Sequence, residues 1–542
     1  MIGAGFRLSL SASISGQRGS FASMEHDFTL FPHRNHSVKG ESRIPSEQTL
    51  KSYVDIPGNW RRNWLNVYFY WRKNGFMNFH NLITDNFKTY GPIYREKIGN
   101  NDSVYIINPE DIATLFRAEG PFPERLEVKP WIIYRDLRKE PNGLQLKKGE
   151  DWKRSRVILN NLFFSQNSVQ EFLPLINEVA LDFVSLVHNE IEKSGSGYWK
   201  VNLIGDLFKF TLESICYLLY GERLGLLERK YDEASQKYID SIALMFKTTA
   251  TLLYVPPGLV NIINSKLWQQ HIDSWDVIFK HTTTLMQKEY RKFQQGLKNL
   301  GIVSKLFQQE TFSLEDNRAD IIDLMAGAID TTSTVLQWSM YELGKNPHIQ
   351  KKLRSEIMDA YQKAEGDPVK MLKLVPFLKC VLKETLRLHP VAITIQRYIN
   401  EDIVLHNYHV PAGTLVHVGV YAMGKDSKYF RNPEQFVPER WLEREETHFK
   451  HLGFGYGPRQ CIGRRIAENE FFLFMIQLLR NFEIEIDQMS KVQSVFNLIV
   501  IPDLLSSSSV VYVLFEFIAT AVVLLFLIKL GYLIILMKGL HP

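Results

Sequence analysis

Residues 454–468, FGYGPRQCIGRRIAE, place Cys461 between a glycine-rich turn and an amphipathic, helix-like run. Two kinds of chemistry would use such a cysteine. A nucleophile would need a histidine base and an orienting partner, and no local signature of the known cysteine hydrolases surrounds it. A metal ligand would need a loop that lets a flat, bulky cofactor approach the backbone, which Gly455, Gly457 and Gly463 would allow.

The helix predicted after Cys461 bears on the charge of its sulfur. The free N–H groups and the positive end of the dipole at a helix N-terminus stabilise a thiolate over a thiol. A single thiolate flanked by Phe454 and Arg459 suits an axial haem ligand, and thiolate ligation of haem favours cleavage of an O–O bond. The residues around Cys461 therefore favour haem binding over nucleophilic catalysis.

The elements that must position this cysteine are mostly helices. Between residues 56 and 400, apolar residues recur at helical spacing, for example in 174–193 and 206–221. Shorter segments rich in Val, Ile and Tyr, at 103–108 and 414–422, predict strands. No repeat or low-complexity linker interrupts the interior, so the sequence predicts one large, mainly helical domain with small sheets.

One predicted helix is unusually long. It begins after Ser313, a candidate N-cap with Asp316 three residues on, and no breaker follows before Asn346 and Pro347. Near its middle, AGAIDTTS at 326–333 interrupts the apolar face with an acid and alcohols, which helix interiors disfavour. This stretch is either a local kink whose polar side chains are hydrogen-bonded within the helix, or a functional site.

Composition narrows the function classes. With 45% hydrophobic residues in 542, the chain can bury a large core. Three cysteines at wide spacings form neither a disulfide framework nor a paired zinc motif, which suits a reducing compartment. The 64 basic residues are scattered among 59 acidic ones and the net charge is +5, so no nucleic-acid partner is predicted.

The N-terminal segment has the composition of a targeting sequence. The first 24 residues hold six serines, Arg7 and Arg18, and the first acidic residue is Glu25. This is typical of a mitochondrial transit peptide, the alternative being an ordinary disordered terminus. Residues 1–55 are therefore predicted to be a transit peptide followed by a disordered lead-in.

The C-terminal segment, residues 503–542, is atypical. Four serines at 506–509 precede an apolar run, and its residues 517–537 carry one charge, Lys529, over a length that could span a bilayer. Two interpretations are open for this tail. It is a membrane anchor, or it does not belong to the folded protein, for example because it is translated non-coding sequence.

The cysteine loop FGYGPRQCIG resembles the haem-binding loop of the cytochrome P-450 family, Phe-x-x-Gly-x-Arg-x-Cys-x-Gly. Three further family elements occur in the family's order: AGAIDTT in the long helix, Glu-Thr-Leu-Arg at 384–387, and PERW at 438–441. The resemblance covers about residues 56–502. It implies the family's single-domain, mainly helical fold, with haem b bound and Cys461 as the iron ligand. Family members end with a short strand soon after this point, and the atypical tail is expected to lack it.

The resemblance also implies roles for individual residues. Asp330 and Thr331 resemble the acid–alcohol pair that delivers protons during dioxygen activation, although Ala328 replaces the family's usual second glycine and narrows the groove by a methyl group. Four further residues match the family's hydrogen-bond donors to the haem propionates, namely Trp152, Arg156, Arg397 and Arg459.

The resemblance changes the interpretation of one residue pair on the predicted helix 376–390. Glu384 and Arg387 share one helix face, and such a pair taken alone is most often a solvated surface ion pair. In the family, however, it joins the arginine of the PERW-like segment, here Arg440, in a buried network behind the haem. The three residues are therefore expected to be essential for the fold.

The transit-like leader and the lack of an N-terminal membrane helix favour the family's mitochondrial branch, peripheral on the matrix side of the inner membrane. Members of that branch receive electrons from NADPH through a reductase and a small acidic [2Fe-2S] ferredoxin of the adrenodoxin type. Positions that match the branch's ferredoxin-docking region are Lys379 and Lys383, with Arg464 and Arg465 nearby. The alternative for the two lysines is a solvated charged face.

Longer segments resemble the branch's sterol-cleaving members, among them residues 90–99, 119–135, 275–279, 386–398 and 496–502. This resemblance implies two hydroxylations of the cholesterol side chain and cleavage of the bond between the two carbons, giving pregnenolone. Four residues match positions that line the sterol cavity, namely Trp131, Met245, Phe246 and Gln396.

Three alternatives differ in class. A sterol or steroid hydroxylase would add oxygen without cleaving the chain. A haem-thiolate sensor would have no need of the Asp330–Thr331 pair. A membrane scaffold would depend on the C-terminal tail alone.

Overall fold

The computed structural model describes residues 50–72, 76–164, 166–195, 198–201, 203–228, 233–254, 266–297, 301–309, 313–442, 449, 451–486, 491–503 and 511–515. These residues belong to one compact unit that begins at Leu50. The predicted transit segment, up to residue 49, and the apolar run at 517–537 lie outside the described residues. Residues 50–55 already belong to the unit, since Lys51 forms a β-bridge with Tyr408.

Helices make up most of the described chain, as the sequence predicts. In chain order they are α1 (Trp64–Arg72), α2 (Phe79–Tyr90), α3 (Pro109–Arg117), α4 (Lys129–Arg138), α5 (Gly149–Phe164), α6 (Gln166–Ser194), α7 (Leu203–Tyr220), α8 (Glu233–Leu252), α9 (Lys266–Gln294), α10 (Ile302–Phe307), α11 (Leu314–Lys345), α12 (Pro347–Ala364), α13 (Pro368–Met371), α14 (Pro376–Leu388), α15 (Val420–Gly424) and α16 (Arg464–Asn481). Short 3-10 turns are Tyr53–Asp55, Trp60–Arg62 and Pro438–Trp441.

The strands form small sheets beside the helices. They are β1 (Ile93–Ile98), β2 (Asn101–Ile106), β3 (Tyr198–Val201), β4 (Ile395–Tyr398), β5 (Ile403–Leu405), β6 (Tyr408–Val410), β7 (Leu415–Val418), β8 (Phe482–Ile486), β9 (Ser494–Asn497), β10 (Ile499–Pro502) and β11 (Val511–Phe515). The largest sheet has the order β1-β2-β7-β4, with β2 and β7 parallel. The others are the hairpins β5-β6 and β9-β10 and the sheet β3-β11-β8.

The long helix α11 begins and ends where the sequence predicts. Ser313 is its N-cap, and the hydroxyl oxygen of that residue accepts from the N–H of Asp316 at 3.0 Å. The N-terminal half of α11 packs into one hydrophobic cluster, which includes Met325 and Ile329, and its C-terminal half packs into a second cluster, which includes Leu336. The AGAIDTTS stretch therefore lies where the helix passes from one core region to the next.

The strand predicted at 414–422 is only half right. β7 ends at Val418, and Val420–Gly424 forms a short helix. The chain leaves the sheet at Gly419, whose N–H donates to the carbonyl of Ile106 at 2.9 Å. A side chain at Gly419 would overlap the ring of Phe87, so the backbone turns there against α2.

The expectation that the closing strand is lost after residue 502 is wrong for residues 511–515. β11 pairs antiparallel with both β3 and β8, so it is the central strand of its sheet. Its sequence, Val-Tyr-Val-Leu-Phe, is a run of β-branched and aromatic residues, which favour strands whatever precedes them. Part of the atypical tail therefore belongs to the fold.

None of the helices in the described part of the chain has the length and low charge needed to cross a bilayer.

Candidate active site

Cys461 lies in a tight loop, two residues before Gly463, the N-cap of α16. The N–H of Cys461 donates to the carbonyl of Phe454 at 2.8 Å, and the N–H of Gln460 donates to the carbonyl of Gly457 at 3.0 Å. Gly455 and Gly457 have φ angles of 76° and 72°, in the left-handed region that glycine adopts without strain. These turns fold the loop back on itself and hold the cysteine at the start of the helix.

The thiol of Cys461 faces an internal cavity that contains about 980 Å³ of space free of protein atoms, part of it open to solvent. A Cβ atom built on Gly327 or on Gly463 would meet no atom within 4 Å. Gly327 is exposed although it lies midway along the buried helix α11, and the cavity explains this exposure. Other residues that line the cavity include Trp152, Arg156, Ala328, Thr331, Thr332 and Arg459.

Cys461 is exposed to the cavity, but the protein atoms packed around it desolvate its thiol, and this raises the pKa of the thiol in the protein alone. The N–H of Gly463 and the positive charges of Arg156 and Arg464 act in the opposite direction, but desolvation has the largest effect. The hydrogen bond and the nearby positive charges therefore do not outweigh desolvation of this sulfur. A bound metal ion ionises a coordinating thiol directly, so a thiolate at this position would be paired with a cation in the cavity.

A cluster of arginines adjoins the cavity. Burial lowers the pKa of Arg125 to about 10, that of Arg156 to about 10 and that of Arg459 to about 9, and for Arg125 and Arg459 the neighbouring arginines lower it further. Arg459 donates to the carbonyls of Pro123 and Lys147, and its guanidinium group lies 3.9 Å from the ring centre of Trp152. Buried cations that repel each other form a site for an anionic group.

Arg397, the third arginine that the resemblance matches to the propionate donors, does not line the cavity. Its Nε donates to Glu119 at 2.5 Å, and its two Nη atoms donate to the carbonyls of Gln396 and Tyr456 at 2.8 and 2.9 Å. Through Tyr456 it contacts the cysteine loop. Its charge also contributes to the lowered pKa of Arg125 and Arg459, so it belongs electrostatically to the same cluster.

Thr331 and Asp330 lie side by side on α11 but in different surroundings. Thr331 lines the cavity, and its hydroxyl donates to the carbonyl of Gly327 at 2.7 Å. Asp330 is 4% exposed, does not line the cavity, and its Oδ1 has no hydrogen-bond partner. Burial raises the pKa of this carboxyl to about 8, so it holds a proton at neutral pH.

The structure places three further charged residues at the cavity that the sequence did not single out, namely Asp323 on α11 and two others, Arg125 and Glu470. Arg125 lies in the loop before α4, where no periodicity or motif marks it. Glu470 lies on α16, where the apolar pattern made it look like an ordinary polar position, and burial raises the pKa of its carboxyl to about 8. Only the folded chain shows that all three face the same space as Cys461.

The predicted network around Glu384 is assembled as a buried cluster. The carboxylate of Glu384 accepts two bonds from Arg387, at 2.8 and 2.9 Å, and one from Arg440 at 3.0 Å. It also accepts from the indole N–H of Trp441 and from the N–H of Val437, each at 2.8 Å. The side chains of Arg387 and Glu384 are 1% and 0% exposed, so they are not a solvated surface pair.

The four residues matched to a sterol cavity fall into two groups. Trp131, Met245 and Phe246 are buried in one hydrophobic cluster, where the indole N–H of Trp131 donates to Thr249 at 2.8 Å. Gln396 instead lines a second cavity of about 600 Å³, beside the large sheet and the β9–β10 hairpin. The first three residues line neither cavity, so the structure brings them together without Gln396.

The basic residues matched to a docking region lie on α14 and at the start of α16. Lys379 and Arg465 are exposed, and Lys383 is half-buried beside the ring of Trp441. Arg464 pairs with Glu468 at 2.9 Å. The charges of Lys383 and Arg464 both act on the imidazole of His451, whose pKa is lowered to about 3, chiefly by burial.

The residues around the cavity fit a haem. The thiol of Cys461 supplies one sulfur ligand, and Gly327 and Gly463 leave space where side chains would obstruct a flat ring. The arginine cluster provides cations for two carboxylates. The described part of the chain contains no group of three or more His, Cys, Asp or Glu placed to hold a metal ion.

Comparison with known proteins places the chain among haem enzymes. A family model described as cytochrome P-450 matches residues 57–508. A relative from Hypanus americanus, named cholesterol side-chain cleavage enzyme, mitochondrial, is 65% identical over 502 residues, which cover 92% of this chain and 98% of that protein. Relatives with the same name from Oncorhynchus mykiss and Homo sapiens are 47% and 43% identical, over 84% and 86% of this chain and 90% of their own length.

Proposed function

The chain belongs to the cytochrome P-450 family, and from this premise we propose that it is a mitochondrial haem-thiolate monooxygenase that converts cholesterol to pregnenolone. The reaction comprises two side-chain hydroxylations and cleavage of the C20–C22 bond. It uses dioxygen and haem b, with electrons from NADPH through a ferredoxin reductase and a [2Fe-2S] ferredoxin. The enzyme acts at the inner membrane, on the matrix side, as a peripheral protein.

The observation that carries this proposal is the 65% identity to a cholesterol side-chain cleavage enzyme over 98% of that enzyme's length. Relatives from fish and human with the same name extend the likeness across vertebrates. The geometry of the cavity adds independent support, because a thiol, an open glycine wall and an arginine cluster meet in one space.

The residues singled out at and behind the cavity wall have proposed tasks. The haem, when bound, would supply oxygen activation, and Cys461 would be its iron ligand. Trp152, Arg156 and Arg459 would hold the propionates, with Arg125 as a further donor. Asp330 stores a proton behind the cavity wall, and Thr331 offers a hydroxyl within it.

The sterol is held mainly by shape, as apolar substrates are in enclosed sites. Trp131, Met245 and Phe246 supply a buried aromatic and aliphatic wall, and the ring centres of Trp131 and Phe246 lie 6.5 Å apart. Gln396, in the second cavity, supplies a polar group. Opening of the hydrophobic cluster to admit a sterol is part of this proposal.

Product analysis tests the function directly. The purified protein, loaded with haem, would be incubated with cholesterol, NADPH, an adrenodoxin-type ferredoxin and its reductase, and the products identified by mass spectrometry. We expect pregnenolone. Hydroxysterols without pregnenolone would instead support a sterol hydroxylase, the alternative within the family.

Replacing Asp330 with asparagine keeps the shape of the side chain but removes the ionisable proton of the carboxyl group. We expect turnover to fall by about 100-fold, as when a general acid is lost, while the haem spectrum stays unchanged. Thr331→Ser, which keeps a hydroxyl in the cavity, is the matched control and should lose far less. Equal turnover in Asp330→Asn and the parent protein would remove Asp330 from the proton path.

The pH profile provides a second measurement of the same carboxyl. Because burial raises its pKa to about 8, Asp330 stays protonated up to that pH and ionises above it. Turnover of the parent should therefore decline as pH rises through about 8, whereas the residual turnover of Asp330→Asn should not. Because the pKa of Asp330 in the folded protein lies above the ordinary value of 3.8, protonation of this carboxyl stabilises the fold. This stabilisation is complete below pH 3.8 and is lost as the pH rises through about 8.

Replacing Lys383 with glutamate tests the ferredoxin surface. We propose that Lys379, Lys383, Arg464 and Arg465 attract an acidic ferredoxin. Lys383→Glu should slow reduction by ferredoxin about tenfold at low ionic strength, with the difference shrinking as salt is added. Lys88→Glu, at an exposed lysine on α2, is the control. Indifference of the rate to Lys383→Glu would place the docking site elsewhere.

A further inference from the structure

A buried ion pair lies beside the cysteine loop, and its acidic member, Glu119, has no role in the chemistry described above. Arg397 and Glu119 are joined at 2.5 Å, and their side chains are 2% and 5% exposed. The Nη2 atom of Arg397 also donates to the carbonyl of Tyr456, which belongs to the loop, and Nη1 donates to the carbonyl of Gln396. Three acceptors therefore fix this guanidinium group in one position.

Glu119 also touches the loop directly. A Cβ atom built on Gly457 would clash with the Oε1 atom of Glu119, so this oxygen lies against the backbone of Gly457. Gly457 has a φ of 72°, a conformation that favours glycine. The carboxylate thus supports the turn four residues before Cys461 and requires that the turn carry no side chain.

Arg397 also contributes to the positive charge near the cavity. Arg397 contributes to the lowered pKa of Arg125 and of Arg459, both of which line the cavity. Its positive charge therefore contributes to the electrostatic potential where the haem carboxylates would lie. Glu119 offsets that charge from a buried position, where screening by water is weak and the effect of one charge on another is large.

We propose that Glu119 is a positioning residue for the haem, which holds Arg397 and the Gly457 turn in place and, by offsetting one positive charge, sets the reduction potential of the iron. This inference rests on the proposed haem-thiolate function. Reduction adds an electron to the site, so positive surroundings favour it. Removal of the negative charge of Glu119 must then make reduction easier.

The charge is tested with Glu119→Gln, measured by spectroelectrochemical titration of the haem-loaded protein. We expect the midpoint potential to rise while the red-shifted band of the reduced carbon monoxide complex is retained. Asp359→Asn, at an exposed ion pair with Lys363, should leave the potential unchanged. The neutral double variant Glu119→Gln with Arg397→Gln should return the potential toward that of the parent protein.

The support of the turn is tested with Glu119→Asp, which keeps the charge but withdraws the carboxylate by one methylene group. Its potential should stay near that of the parent, whereas amide hydrogen exchange of residues 452–461 should become several-fold faster. Unchanged exchange in this variant would overturn the positioning role.

The outcomes separate this inference from the function on which it rests. If the parent protein formed no red-shifted carbon monoxide band, the haem-thiolate function itself would fail. If the parent showed that band but Glu119→Gln had the same potential as the parent, the proposed charge effect would be wrong and the haem function would stand. A potential that fell in Glu119→Gln would contradict the sign of the electrostatic argument.

Discussion

Replacing Cys461 with serine should eliminate the red-shifted Soret band of the reduced carbon monoxide complex. That band depends on a thiolate ligand, and a serine hydroxyl cannot supply the same electron donation to iron. The thiol of Cys461 faces the cavity directly, and the described part of the chain places no other cysteine there. We therefore expect complete loss of the band and of turnover, measured by difference spectroscopy and product analysis.

Cys380→Ser is the matched control for this change. Cys380 is 5% exposed on α14 and lines no described cavity, so its replacement should leave the band in place. Loss of the band in both variants would indicate damage to the fold and not loss of a ligand. Persistence of the band in Cys461→Ser would refute thiolate ligation by this residue.

Replacing Glu384 with alanine should destabilise the fold severely. The change leaves the guanidinium group of Arg387, which is 1% exposed, buried without its carboxylate. Removal of one partner from a buried ion pair costs about 3–5 kcal/mol, because the remaining charge is left uncompensated. Arg440, Trp441 and the N–H of Val437 lose an acceptor as well. The free energy of unfolding, from urea titration, provides the measurement.

Two other variants keep the result interpretable. Asp359→Ala breaks an ion pair with Lys363 whose side chains are about 60% exposed, and should cost no more than about 0.5 kcal/mol. If Glu384→Ala gives no soluble protein, Trp441→Phe removes a single hydrogen bond from the same carboxylate and should cost about 1–2 kcal/mol. A cost for Glu384→Ala as small as that for Asp359→Ala would exclude a structural role.

The parts of the site that the sequence predicted are local in the chain. The cysteine loop carries its glycines, arginine and helix start within fifteen residues, and α11 carries its cap and its polar stretch in one continuous pattern. Short-range rules for turns, caps and periodicity apply to such segments. The resemblance to a family then linked these segments to a single cavity.

The parts that local patterns alone could not predict depend on distant contacts. Arg397 and Glu119 are 278 residues apart in the chain, so no spacing rule connects them. Arg125 lies in a loop whose position is set by the elements around it. The pair Glu384 and Arg387 looks like a surface pair by spacing alone, and it is buried because the Pro438–Trp441 turn folds over it. Tertiary packing, which local patterns do not encode, decided each case.

The central position of β11 has a consequence for how this enzyme is made and handled. Because Val511–Phe515 lies between β3 and β8, that sheet cannot be completed until nearly the whole chain has left the ribosome. A protein shortened at residue 502, to discard an apolar tail that looks dispensable, would leave β3 and β8 with unpaired edges. Exposed strand edges recruit other chains, so the shortened protein would tend to aggregate. Any truncation for expression should therefore end after Phe515.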